Sequence, residues 1–196
     1  MSAGAGRGGS FDTAFATSPK VGERANGDRA FVHSFPGGRT VLGVIDALGH
    51  GVEAEEVSVR ALDVLARTAA EGSVERLMHL VHEGLRGMRG VAATFCVVVD
   101  GRLEACGVGN VELRCVETDI PFIVSPGILG VRVHRFRTCT AALVPGSRLV
   151  LFSDGVHRIG SLSTFRKLSP AEASQAILRL HRRNDDDATV LVADLG

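Results

Sequence analysis

The sequence predicts an α+β sandwich, with antiparallel sheets packed together and helices outside. Two observations carry this. Patterned segments run in the order two strands, two helices, a strand-rich middle, one helix and a last strand, which is not the strict alternation of a parallel sheet. Several strands, VLGVI and TVLVA among them, are too apolar to lie at a surface.

The elements follow in order. Residues 1–10, MSAGAGRGGS, form a Gly/Ala/Ser tail expected to be disordered. RAFVHSF and RTVLGVID read as two strands joined by the turn PGG. A helix is expected over about residues 52–70, where Leu62, Leu65 and Ala69 recur at helical spacing. Glu53, Glu55 and Glu56 lie in its first turns, at the positive end of the helix dipole. Ser73 opens a second helix, SVERLMHLVHEGLRGM, with Leu77, Leu80, Val81, Leu85 and Met88 on one face; Arg76 three residues on leaves it short of a full capping box. VAATFCVVVDGRLEACGVG is a hairpin turning at Asp100-Gly101. VELRCVE, the loop PFIVSPGILG, the strand VRVHRFRT, the turn Pro145-Gly146-Ser147 and the strand SRLVLFSDG come next. SPAEASQAILRLHRR is a helix with Ser169 as N-cap and Pro170 at its first position. ATVLVADL closes the chain as a strand.

Composition narrows the function. At 196 residues the chain suits one domain, residues 11–196, with a real core. Lys+Arg and Asp+Glu number 22 each, which argues against a general nucleic-acid binder. No apolar run approaches the roughly 18 to 20 residues that span a membrane, and the N-terminus lacks the apolar core of a secretion signal. A cytoplasmic protein with no membrane partner is expected. Cys96, Cys106, Cys115 and Cys139 include no CxxC pair, so they read as free thiols rather than zinc ligands.

Three places share one local design. VLGVID ends on Asp46, RLVLFSD ends on Asp154, and Asp185, Asp186 and Asp187 stand just before the strand ATVLVADL. Each puts a carboxylate at the mouth of an apolar strand. If the mouths meet, the charges repel unless a cation joins them; oxygen ligands select Mg²⁺ or Mn²⁺. A single Asp-Gly at a strand end is ordinarily a turn, as at Asp100-Gly101. Three acids at the negative end of a helix ask for another reason. Asp28, in ANGDRAF, is by itself a turn residue.

Taken in order, NGD, VIDALGHG, FSDGV and DDATVLVADL resemble the type 2C (PPM) metal-dependent Ser/Thr protein phosphatases, in particular their SpoIIE-like branch. RGVAATFCVVVDGRLEACGVGNVELR resembles the short stressosome phosphatases of that branch, so a bare catalytic domain with no sensor domain before the motifs is expected. The resemblance implies a four-layer α-β-β-α sandwich of two antiparallel sheets flanked by helices. It implies hydrolysis of phosphoserine or phosphothreonine on stressosome scaffold proteins carrying STAS domains. The cofactor would be Mn²⁺ or Mg²⁺, two ions that activate a water and neutralise the phosphoryl oxygens. Asp46 would bridge the ions, Asp154 and Asp186 would ligate one, and Asp28 would support the second, directly or through water. Ala47 stands where the family usually has glycine; its carbonyl can ligate if alanine takes the backbone angles. Gly49 and Gly51 would give a phosphopeptide room to approach. His50 is a candidate general acid, or equally a helix cap. His33, His79, His82, His134 and His181 show no ligand spacing, and His157 follows FSDGV without a motif of its own.

Two other readings stand beside this one. A phosphatase fold without activity, kept as a binding module, would fit the change at Ala47. A GHKL-type nucleotide site would use Asp46, Gly49 and Gly51, but it needs an Asn-bearing helix upstream and leaves FSDG and DDAT unexplained.

Overall fold

The apolar strands sort into two five-stranded antiparallel sheets in the computed structural model, which describes residues 1–8 and 11–196. In chain order the strands are β1 (Ser2–Gly8), β2 (Phe11–Ser18), β3 (Asp28–Phe35), β4 (Arg39–Ala47), β5 (Val91–Val99), β6 (Arg102–Val108), β7 (Glu112–Val116), β8 (Gly127–Ile128), β9 (Arg132–Val133), β10 (Thr138–Ala142), β11 (Arg148–Phe152) and β12 (Ala188–Leu195). The helices are α1 (Val52–Thr68), α2 (Val74–Gly84) and α3 (Pro170–His181). One sheet has the order β1-β2-β12-β11-β7 and the other β10-β6-β5-β4-β3.

Period-two alternation builds the layers. On β4, Leu42 and Val44 face the other sheet, meeting Leu151 and Leu191 in the core between the sheets. Val41 and Ile45 face outward onto Ala54, Ala61 and Leu65 of α1 and Leu77 and Val81 of α2. On the far side, Val150, Val190 and Val192 pack under Ile177 and Leu178 of α3. Both faces of each sheet are thus covered, and the expected four layers, α-β-β-α, are present.

Local signals in the sequence are met in detail. Asp100 and Gly101 both adopt positive φ, +50° and +73°, at the β5–β6 turn. Ser169 caps α3 and Glu172 completes a capping box. The Ser73 side chain accepts the Arg76 N–H at 3.3 Å.

Three segments differ from expectation. Ser2–Gly8, expected as part of a disordered tail, pairs antiparallel with β2 from Ser2↔Thr17 to Gly8↔Phe11. The reason is that β2 would otherwise leave a row of backbone groups bare at the sheet edge. Gly9 and Ser10, the rest of that tail, lie outside the described residues. α2 stops at Gly84 instead of running to Met88, because the Arg86 and Met88 amides tighten into bonds with Glu83 and Leu85 three residues back. Leu85 and Met88 still pack on the helix layer, which preserves the apolar period. VRVHRFRT supplies the two-residue β9 and only its last residue, Thr138, to β10; the strand that pairs with β6 is TCTAA, where Cys139 and Ala141 turn inward and the threonines outward.

Candidate metal centre

Strand register brings the expected carboxylates to one end of the sandwich. Asp28 on β3 lies directly opposite Asp46 on β4. In the other sheet, Phe152 at the end of β11 pairs with Val190 near the start of β12, so Asp154 and the Asp185–Asp187 run emerge side by side.

A buried polar network ties the two sheets together here. The Ser153 hydroxyl donates to Asp28 Oδ2 at 2.6 Å and accepts the Thr189 N–H at 3.0 Å. Thr189 Oγ1 lies 2.5 Å from Thr17 Oγ1, which accepts Asn26 Nδ2 at 2.7 Å. Asn26 Oδ1 accepts the Asp28 N–H at 2.8 Å, closing the circuit. The Asn of NGD, the Ser of FSDG and the Thr of DDAT are therefore structural partners of the carboxylates. Those letters were visible in the sequence, but nothing local marked them as neighbours.

The three consecutive aspartates have three different fates. Asp185 is exposed and pairs with Arg183 at 2.9 Å, which holds its carboxyl below the usual range. Asp187 is buried, and both its oxygens are taken: Oδ1 accepts the Lys20 N–H at 2.8 Å and Oδ2 the Gly27 N–H at 2.7 Å. Asp186 faces the other acids. Burial, then the nearby Asp154 charge, push its carboxyl up. Gly155 permits this arrangement, since an added Cβ would fall 1.8 Å from the Asp187 carbonyl oxygen.

Electrostatics identify the centre of the group. Burial first, then the charges of Asp28, Asp154 and Asp186, push Asp46 up to about 9. Burial pushes Asp28 up to about 8, against the hydrogen bond from Ser153. Asp28 Oδ1 is buried without a hydrogen-bond partner. Among the described residues, no Lys or Arg side chain forms an ion pair with Asp28, Asp46, Asp154 or Asp186. The four carboxylates do not close into a ready-made cage: among the described residues no three His, Cys, Asp or Glu side chains form one. An all-oxygen, uncompensated donor set with one orphaned buried oxygen fits a hard divalent ion, which would draw the side chains together.

The surrounding positions are as follows. Ala47 is buried at the end of β4, and its N–H donates to Gly27 O at 3.3 Å. It is not among the non-glycine residues with positive φ, so alanine takes its backbone angles without strain. Gly49 and Gly51 do adopt positive φ, +89° and +79°, in the turn leading into α1. Exposed His50 lies 3.0 Å from Glu23 Oε1 through Nδ1. His157 is drawn away to the end of α3, with Nδ1 3.0 Å from the His181 carbonyl. Asn110, in the stretch GVGN, donates Nδ2 to Asp154 Oδ2 at 2.7 Å. The sequence offered no sign of this contact. Every described element before Asp46 is a strand, so the upstream helix of a GHKL site is missing among the described residues.

Comparison with known proteins bears on the family and the fold. Residues 36–196 match the family described as Stage II sporulation protein E (SpoIIE). The phosphoserine phosphatase RsbX of Bacillus subtilis (strain 168) is 25% identical over 183 residues, 90% of each chain. A crystal structure of RsbX in complex with magnesium superposes over the whole of both chains with TM-score 0.86 at 23% identity. A solved chain from work on the bacterial stressosome, a modular system adapted to control secondary messenger signalling, has TM-score 0.84 at 28% identity over 93% of this chain and 98% of that one.

Proposed function

The chain belongs to the SpoIIE family, and on that premise we propose that it is a metal-dependent phosphoprotein phosphatase that acts on phosphoserine or phosphothreonine. The observation that carries the reading is the convergence of Asp28, Asp46, Asp154 and Asp186 without a protein cation, leaving Asp28 Oδ1 unpaired. Divalent metal use is the coarse expectation from the magnesium-bound neighbour. The finer proposal is two ions, Mn²⁺ or Mg²⁺. Asp46 would lie between them, Asp154 and Asp186 on one, and Asp28 and the Ala47 carbonyl toward the other.

When bound, such ions lower the pKa of a water towards neutrality and offset charge on the phosphoryl oxygens. The residues of the chain supply the rest. Asp46, with a proton affinity raised by burial and then by its acidic neighbours, must release its proton for a cation to replace it. Asn110 holds one Asp154 oxygen and so orients the other. Asp187 clamps the Gly27 amide beside Asp28, keeping the two sheets in register at the site. Gly49 and Gly51 reduce the side-chain bulk of the turn where a phosphopeptide would enter. His50, at the same turn, is positioned by Glu23 and is a candidate proton donor to the leaving oxygen.

The substrates we propose are phosphorylated stressosome-type proteins with STAS domains. The support is the likeness to RsbX and to the stressosome chain. The test is phosphate release from a phosphoserine peptide with and without Mn²⁺ or Mg²⁺. Turnover should vanish in chelator and in Asp46→Asn and Asp154→Asn, with circular dichroism unchanged. Full activity in either variant would sink the metal assignment. Stable binding of a phosphoprotein with no turnover would favour an inactive binding module.

A further inference from the structure

Charge is balanced over the chain but not along it. From Ile120 to Ser153 there is no Asp or Glu. Within that stretch Arg132, Arg135 and Arg137, with His134 between them, are all exposed. Among the described residues none of the three arginines forms an ion pair. Their neighbours on the adjoining turn differ: Arg86 is matched by Glu83 and Arg89 by Glu53.

The segment carrying these arginines is held firmly by its backbone. Leu129 exchanges two hydrogen bonds with Val91, at 2.9 and 3.0 Å. The Gly130 N–H donates to buried His82 Nδ1 at 3.0 Å, and the Arg137 N–H donates to Ser125 Oγ at 2.9 Å. Phe136 packs edge-on against His79, with ring centroids 4.4 Å apart. Between these anchors Val131 stays 53% exposed. The result is a fixed strap whose polar tips and one apolar side chain point to solvent.

The strap also borders the catalytic turn. Val91, its hydrogen-bonding partner, pairs with Ala47, and the Gly90 carbonyl accepts the Leu48 N–H at 3.1 Å. An added Cβ on Gly90 would meet the Leu129 oxygen at 2.4 Å and Val131 Cγ2 at 3.0 Å, so strap and turn are in direct contact through this residue.

We infer that the strap Val131–Arg137 is a docking surface for an acidic protein face that flanks the phosphorylated residue of the substrate. The inference rests on the phosphatase reading above. Three charges without partners on a fixed backbone attract an acidic partner at little ordering cost. The strap's contact with Gly90, whose carbonyl holds the Leu48 N–H, would set the phosphoserine toward the carboxylate end of the sandwich.

The test uses the full chain and the charge reversal R132E/R135E/R137E, with R132A/R135A/R137A as the milder variant if the first fails to fold. Three substrates are compared with Mn²⁺: p-nitrophenyl phosphate, a phosphoserine peptide with an acidic flank, and the same peptide with a neutral flank. The KM for the acidic peptide should rise about tenfold, and its salt dependence should disappear. The kcat, the neutral peptide and p-nitrophenyl phosphate should be unaffected. An unchanged KM for the acidic peptide, or an equal rise for both peptides, would overturn the proposal. Equal competition by a single-stranded oligonucleotide of the same charge would overturn it in favour of general polyanion binding. If the wild type releases phosphate from no substrate, the phosphatase reading fails; anisotropy of a labelled acidic phosphopeptide still decides the docking surface.

Discussion

Replacing Asp46 by asparagine should make the metal-free protein more stable. At pH 8 the unfolded chain ionises this residue freely, with an ordinary carboxylate pKa of 3.8. In the fold, burial and three facing carboxylates hold its pKa at about 9, so it must keep a proton. At pH 8, about four pH units above the unfolded value, the difference is worth about 6 kcal/mol at 1.36 kcal/mol per unit. Asp46 is only partly buried, and the carboxylates can splay into solvent, which reduces the cost to about 2–3 kcal/mol. The neutral amide removes it and can still donate to Asp154. For a chain of this length that is a rise of about 5–10 °C in Tm in chelator. With Mn²⁺ at a thousandfold excess over its Kd the wild type should gain about 4.1 kcal/mol, while the variant gains little. The order of the two melting curves should therefore reverse when metal is added. Differential scanning calorimetry in chelator and in Mn²⁺ checks this. If Asp46→Asn melts below the wild type by the same margin in both conditions, the carboxylate-repulsion argument is refuted.

Other perturbations separate charge repulsion from architecture. Asp28 and Asp46 both have folded pKa values raised above the unfolded one, so the folded state binds more protons. Their stability contribution is complete below pH 4 and is lost as pH rises through about 8 to 9. Urea midpoints in chelator should accordingly fall from pH 6 to pH 9 and flatten with Mn²⁺; a rise over that range would contradict the assignment. Asp187→Ala leaves the Gly27 amide, buried beside the site, without its acceptor, and frees the Lys20 N–H. It should cost about 2–4 kcal/mol with or without metal, the opposite pattern to Asp46→Asn; equal stability in chelator melts would remove the clamp role. Gly155→Ala forces a methyl group onto the Asp187 carbonyl and should cost more than about 3 kcal/mol, read as loss of soluble protein or a collapsed Tm. Asn110→Ala should lower kcat about tenfold while circular dichroism stays unchanged, since only the orientation of Asp154 is lost; an unaltered kcat would show that Asp154 is held by other means.

Much of the fold was legible because its signals are local. Period-two apolar runs marked the central strands, and Asp100-Gly101 marked their hairpin. Ser169, Pro170 and Glu172 sit within one turn of helix and announce α3. Besides the locally tightened end of α2, the misread segments are those where a distant partner overrides local composition. A Gly/Ala tail joins a sheet because β2 offers an open edge, and RVHRFR stays out of the β6 ladder because TCTAA occupies it.

The sequence by itself determined that carboxylates stand at the mouths of apolar strands, because alternation and strand-end chemistry are written residue by residue. Only the tertiary structure decided which of them meet. Asp28 and Ser153 are 125 residues apart, and Lys20 and Asp187 are 167 apart, yet each pair is joined by a hydrogen bond. The same long-range packing chose among three adjacent aspartates, sending Asp185 to Arg183, Asp187 to two backbone amides and Asp186 to the centre. The physical reason is that a side chain's charge state and partners depend on burial and on neighbours from other strands, which no local pattern encodes.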